Sequence, residues 1–272
     1  MASPMALWQL AFFAAAFVFL AVMSFWQVRD FQLVAEFTTR NWDKLFHTSY
    51  FWAAYRYTFF LAVICAVSAS ILAFPLSYWM AFALPKRAQV IAVGLLITPF
   101  FTSYVVKVYS WRLILTDEGI INAALRALGI GTLTLLNTTF ATVIGVLTLS
   151  FPLVVLLQFF SLANVDRNLI EAAQNLGCKP LGVVFRIVIP SAKTGIALAA
   201  VFTFILAFGD FISPSFLGGN KPPTMSNLMV DAVKSGNNYP RAAVIAITMV
   251  VTLCIAALGV LGYVYGGGRK KT

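Results

Sequence analysis

Charge is what this sequence has least of. Only 10% of its 272 residues are Asp, Glu, Lys or Arg, whereas 61% are hydrophobic. A soluble domain carries about 25% charged residues, so this chain lacks the polar surface that water requires. Its composition is that of a polytopic membrane protein, in which lipid replaces water around most of the surface. Histidine is nearly missing too. The single His47 has no Cys or acidic cluster near it in sequence, which argues against a metal site. Three cysteines, Cys65, Cys178 and Cys254, are too few and too separated for a disulfide framework and read as small packing residues. Enzyme signatures are also absent. There is no G-x-x-x-x-G-K-[ST] phosphate loop, no G-x-S-x-G, no H-E-x-x-H and no Cys/His ligand cluster, so no catalytic residue is assigned and ATP is not hydrolysed by this chain. The net charge of +10 comes from bases scattered among loops, without the stripe or stacking module that nucleic-acid binding requires.

What the chain does have is long apolar runs. About 20 apolar residues cross a bilayer, and six segments qualify: 6–28, 57–84, 88–106, 139–160, 194–211 and 242–265. No Lys or Arg precedes the first run, so it reads as a mature helix and not as a signal peptide. Pro75 is expected to kink the second segment, and Pro85-Lys86-Arg87 to close it with a tight basic turn. Pro152 lies inside the fourth. After the third comes a short amphipathic surface helix, capped near Thr116 and stopped by Gly129. Residues 214–240 read as a Gly/Pro/Asn-rich loop. The resulting organisation is 1–56 (first span and external loop), 57–265 (core spans, with a polar segment at 164–190) and a basic tail at 266–272. Raw counts of Lys and Arg do not orient the chain. Their concentration in the turn at Lys86, the polar segment and the tail places those parts and both termini in the cytoplasm.

The polar segment interrupts an otherwise apolar chain. Asn164 or Asp166 can cap a short helix that Gly177 ends with a left-handed stop. Lys179-Pro180 begins a second helix, which Pro190 is expected to end. Ala172 and Ala173 keep the first helix narrow beside the charged Glu171, a shape suited to a helix-in-groove contact with a partner. An ordinary loop folded back on its own bundle is the plainer reading.

Spacing favours the partner. Glu171-Ala172-Ala173, then Gly177, Ile187 and Ile189-Pro190 resembles the E-A-A-x3-G-x9-I-x-L-P signature of permease subunits of bacterial ATP-binding-cassette importers, departing only at Ile189. Thr98–Tyr104, Arg112 with Gly119–Asn122, and Phe208–Phe211 look like the spermidine/putrescine-type permeases, most like their first, B-type subunit. The resemblance covers nearly the whole chain. It implies an all-α, six-span, type I importer permease fold (MetI-like) in the bacterial inner membrane, with a cytoplasmic coupling helix between the fourth and fifth spans. Glu171, Ala172, Ala173, Gly177, Ile187 and Pro190 would then form the coupling segment. It also implies a second permease, an ATPase dimer that holds the ATP and magnesium, and an external solute-binding protein. This chain itself would need no cofactor and no metal. A polyamine is the expected solute; an opine, a phosphonate or another amine fits the same pattern. A stand-alone secondary transporter or channel is the rival class, disfavoured by the lack of internal repeats; a non-transporting membrane scaffold is a second rival.

For the solute path, Asp210 is the most informative charge, because an acid inside an apolar run is costly and points to function. Its alternative is a capping or interhelical hydrogen-bonding role. Tyr104 and Trp111 could line a path for an ammonium group, or anchor at the interface. Phe101 reads as packing or a gate. Asp117 and Glu118 are solvated loop acids or contacts for the solute-binding protein.

Overall fold

The computed structural model describes residues 3–29 and 32–266. Of the basic tail expected at 266–272, residues 267–272 lie outside them. The chain divides into two compact units, Met1–Phe59 with Pro222–Cys254, and Phe60–Lys221 with Ile255–Thr272.

In the first unit, α1 (Ser3–Ser24) leads into a two-stranded antiparallel hairpin, β1 (Gln27–Arg29) and β2 (Gln32–Val34), in which Val28 faces Leu33. A short α2 (Arg40–Phe46) follows. Then α3 runs from Ser49 to Phe82, crossing from this unit into the second. The stretch expected as a mixed loop up to residue 56 therefore holds a hairpin, a helix and the first two turns of α3. Those turns form because Phe51 and Ala54 are buried, and burial outweighs the break that Arg56 makes in the apolar run. α3 also continues through Pro75 as one 34-residue helix.

In the second unit, α4 (Lys86–Ile97) starts directly after Pro85. Lys86 and Arg87 thus open a helix and do not form a turn. The third span is not one rod. α4 tightens into a 3-10 turn over Thr98–Phe101, and α5 (Tyr104–Leu115) sets off after an extended Thr102 and Ser103. The two parts, Lys86–Phe101 and Tyr104–Ala127, meet at 88°. Pro99 supplies no N–H to continue the ladder, and the chain leaves the helix at the extended Thr102.

α6 (Ile120–Ala127) begins after an extended Gly119, so Thr116 ends α5 and does not cap α6. Gly129 does stop it, at φ +73. α7 (Thr139–Ala163) is capped by the Thr138 hydroxyl, which accepts from the Ala141 N–H. α8 (Arg167–Asn175) and α9 (Pro180–Val183) follow, and the chain then widens into a π turn over Val184–Val188 before α10 (Ile189–Ser191) and α11 (Lys193–Gly209). Pro190 therefore does not end the second helix of the polar segment. The π turn lets the helix continue past a residue that cannot donate, and the 73° bend falls after Ser191.

α12 (Ile212–Phe216) follows in the second unit, to which the end of α14 from Ile255 also belongs. Back in the first, α13 (Met225–Lys234) is capped by Thr224, whose hydroxyl accepts from Asn227. The expected 214–240 loop thus contains helix at both α12 and α13. α14 (Tyr239–Gly266) places Pro240 in its first turn, where proline costs no hydrogen bond.

Four helices, α1, α3, α7 and α14, are long and apolar enough to cross a membrane, and counting each bent pair as one span gives six. The main core of the second unit packs α3, α7 and α11 around Ala69, Ala73, Val154, Val155, Leu162 and Ala199. Small residues permit this approach: a Cβ on Gly195 would lie 2.2 Å from Ser161 Cβ.

Candidate functional site

Two places in the second unit carry the polar chemistry. The first is the segment after α7. Asp166 Oδ1 accepts the Asn168 N–H at 2.9 Å and starts α8, whereas Asn164 donates back to Phe160 O. At the other end Gly177 sits at φ +80. Its N–H donates to Gln174 O, and that of Cys178 to Ala173 O, which together form a Schellman stop. Arg167 reaches the Ala81 carbonyl at the end of α3.

The amphipathic split of this segment is clear. Ala173, Val183 and Val188 are buried in the main core, with Ile170, Cys178 and Ile187 packed against it. The outward side carries Glu171, Ala172 and Pro190, with Leu169, Leu176 (88% exposed), Leu181 and Phe185. Of the motif residues, then, Ala173 and Ile187 hold the segment to the bundle, Gly177 shapes it, and Glu171, Ala172 and Pro190 face outward. Glu171 has no ion-pair partner among the described residues.

The second place is the break in the third span. Tyr104, the first residue of α5, donates to Asp210 Oδ2 at 2.7 Å and shares a short hydrogen bond with the Ser213 hydroxyl. Asp210 ends α11. Its Oδ1 accepts the Ile212 N–H at 2.8 Å, and the Ser213 N–H lies 3.3 Å from Oδ2. The carboxylate, 8% exposed, therefore covers the N-terminus of α12 and ties it to α5. Lys107 donates to Pro99 O, so a cation meets the carbonyl end of the α4 arm. Gly145 of α7 completes the packing: a Cβ there would meet Ser213 Oγ at 2.5 Å and Leu217 at 2.8 Å.

The other expected path residues do not converge on Asp210. Trp111 packs with Val108, Leu115, Ala141 and Leu217. Phe101 stands 86% exposed at the break. Asp117 and Glu118 are exposed in the turn before α6. Glu118 pairs with Arg126 at 2.9 Å, and that guanidinium holds the Glu118 carboxyl below its ordinary value.

Sequence reasoning missed Ser213, Lys107 and the fully buried Asn122. The Asn122 amide donates to Thr116 O and Leu133 O, and its oxygen accepts the Leu133 N–H. An Asn inside the apolar stripe of a short helix was the available signal. Among the described residues no group of three or more His, Cys, Asp or Glu could hold a metal ion.

A helical membrane bundle with a broken span and a projecting, capped helix between two of its spans defines a class. Residues 5–266 match the family described as binding-protein-dependent transport system inner membrane component, and the chain belongs to that family. It is a multi-pass permease of the type I importer fold. Among curated relatives it is 26% identical to the spermidine/putrescine transport system permease protein PotB of Escherichia coli (strain K12), over 82% of this chain and 81% of that one. It is 30% identical to the inner membrane ABC transporter permease protein YdcU of the same organism, over 85% of this chain and 78% of that one. Among solved structures, a chain of a bacterial ABC transporter involved in the import of the acidic polysaccharide alginate superimposes with a TM-score of 0.79. That match has 17% identity and covers 99% of this chain and 94% of that one.

Proposed function

We propose that this chain is the B-type permease subunit of an ATP-driven importer of a small organic cation, a polyamine of the spermidine/putrescine class. The observation that carries the transport mechanism is the outward side of α8. It presents Glu171 and Ala172 beside exposed Leu169 and Leu176, while the opposite side is anchored in the core. Such a half-anchored helix can pass force from a partner's groove into the bundle. The reading of the solute rests on the PotB relatives.

In this reading ATP and magnesium belong to a separate ATPase dimer, and the chain itself is not an enzyme. ATPase closure draws the coupling helices of this permease and a second permease together, and the bundle shifts toward an outward-facing state. That is a population shift driven by differential binding. Solute arrives on an external binding protein, and both termini and the coupling segment face the cytoplasm. Asp117 and Glu118, exposed at the α5–α6 turn, are candidate contacts for the binding protein. Asp210, Tyr104, Trp111 and Phe101 remain the proposed surroundings of the path, with Asp210 acting there through the shape of the break.

The test is uptake of labelled spermidine and putrescine into vesicles holding the reconstituted complex and its binding protein. ATP-dependent uptake is expected. Uptake of an opine or phosphonate alone would keep the importer and replace the solute. Uptake by this chain without any ATPase would overturn the importer reading.

A further inference from the structure

The first unit holds a polar cleft that the transport reading does not use. It encloses about 420 Å³ and is lined by Gln27, Arg40, Asn41, Lys44, Asn238 and Arg241 among others. Three of these are cations, and among the described residues the lining contains no acid. The described salt bridges are Arg29–Glu36 and Arg126–Glu118, so Arg40, Lys44 and Arg241 have no ion-pair partner among the described residues. Asp43, the acid on the same helix, takes the Thr39 hydroxyl at 3.4 Å and does not line the cleft.

The lining is held in place from several directions. Asn41 donates to Ser24 O and Trp26 O at the end of α1. Asn238 accepts the Arg241 N–H at the start of α14, and Leu45 is buried at 2%. The cleft thus sits where two candidate membrane helices, α1 and α14, reach their polar ends.

Its surroundings are those of a membrane–water boundary. Around it runs a chain of aromatic rings: Phe25 stacks on Phe37 at 4.7 Å, Trp42 on Phe46 at 5.8 Å, and Phe46 touches Trp52 at 5.7 Å. Trp52 and Tyr50 are exposed. Trp and Tyr gather at the headgroup level of bilayers. Only 6% of the adjoining apolar window of α1 is buried, so that helix presents its side chains to lipid beside the cleft.

We propose that this cleft is a binding site for the phosphate of an anionic phospholipid headgroup. The three cations and the Gln27 and Asn238 amides supply charge and hydrogen-bond donors, Asn41 holds the wall in place, and the acyl chains lie along α1. An anion of this kind offsets the mutual repulsion of three exposed cations that face one cleft. The inference rests on membrane embedding alone and is independent of the solute.

The experiment is native mass spectrometry of the full chain in its assembled complex, loaded with phosphatidylglycerol or phosphatidylcholine of matched acyl chains. The wild type is expected to retain phosphatidylglycerol selectively. In the triple variant Arg40→Gln/Lys44→Gln/Arg241→Gln that selectivity is expected to fall at least about tenfold, since each cation near a membrane surface is worth on the order of fivefold. Arg87→Gln/Lys221→Gln/Lys234→Gln removes equal charge outside the cleft and should leave selectivity unchanged. Arg40→Lys/Arg241→Lys, which keeps the charge and guards against misfolding of the triple variant, should retain it. Equal loss in both triple variants would overturn the site. Binding of inorganic phosphate without headgroup selectivity would overturn the lipid source. Loss of binding-protein docking at unchanged lipid retention would overturn it in favour of an acidic protein surface.

Discussion

Asp210 accepts from two backbone N–H groups and one phenol, and the consequences of losing it follow from those donors. In Asp210→Ala, the partly buried Ile212 N–H, the buried Ser213 N–H and the Tyr104 hydroxyl lose their acceptor. Stranded buried donors cost about 1–3 kcal/mol, and we expect assembled complex, read by size-exclusion chromatography and thermal unfolding, to fall with uptake. Asp210→Asn keeps an oxygen for the Ile212 N–H and should retain assembly. An uptake loss in that variant larger than its assembly loss would show that the charge serves the path. Gly177 is the simpler residue. Its Cβ position is open, so Gly177→Ala costs only the left-handed backbone, about 1–2 kcal/mol. Thermal unfolding should show that loss, while Gly182→Ala, at a glycine without positive φ, should be limited by its 2.8 Å contact with the flexible Cys178 thiol. These two residues also divide what a sequence can disclose. Gly177 was legible because its signal is local: a glycine after a capped, narrow helix. The partners of Asp210 were not, because Tyr104 lies 106 residues away.

Elements were legible where length and apolarity decide, as in α7 and α14. They were misread where a polar or cyclic residue meets a tertiary demand. Pro190 was expected to end a helix, yet a π turn carries the chain past it. Thr98–Ser103 looked like the middle of a span, yet the chain turns there because α5 must bring Tyr104 to α12. The 214–240 stretch looked like loop because its Gly and Pro content hides the Thr224 cap and the buried Met225 and Leu228. Helix α11 lies against α7 with no room at Gly195, whose added Cβ would meet Ser161 Cβ at 2.2 Å and Leu157 O at 3.3 Å. Gly195→Ala must therefore separate the helices, a strain of about 1–3 kcal/mol. A double-mutant cycle with Ser161→Gly, which removes the facing atom, should recover part of that loss and give a measurable coupling. Additive losses would show that the two helices do not meet at this point.

At the scale of the whole molecule, coupling depends on how the polar segment divides its two sides. If the outward side docks an ATPase, its substitutions and those of the inward side must fail differently. Leu176 is 88% exposed, and Glu171 has no ion-pair partner among the described residues, so neither contributes much to the fold of the isolated chain. Leu176→Ser with Glu171→Lys should leave insertion and thermal unfolding near wild type. The same pair should weaken ATPase co-purification by about tenfold or more, as expected when a central apolar anchor and a charge are lost from an interface. Ala173→Leu does the reverse. It forces bulk into a site with 9% exposure, so unfolding temperature and ATPase retention should fall together. Measuring both quantities in both variants separates docking from folding. Equal ATPase retention in the outward pair and the wild type would remove the coupling role from α8 and leave it as a loop packed on its own bundle.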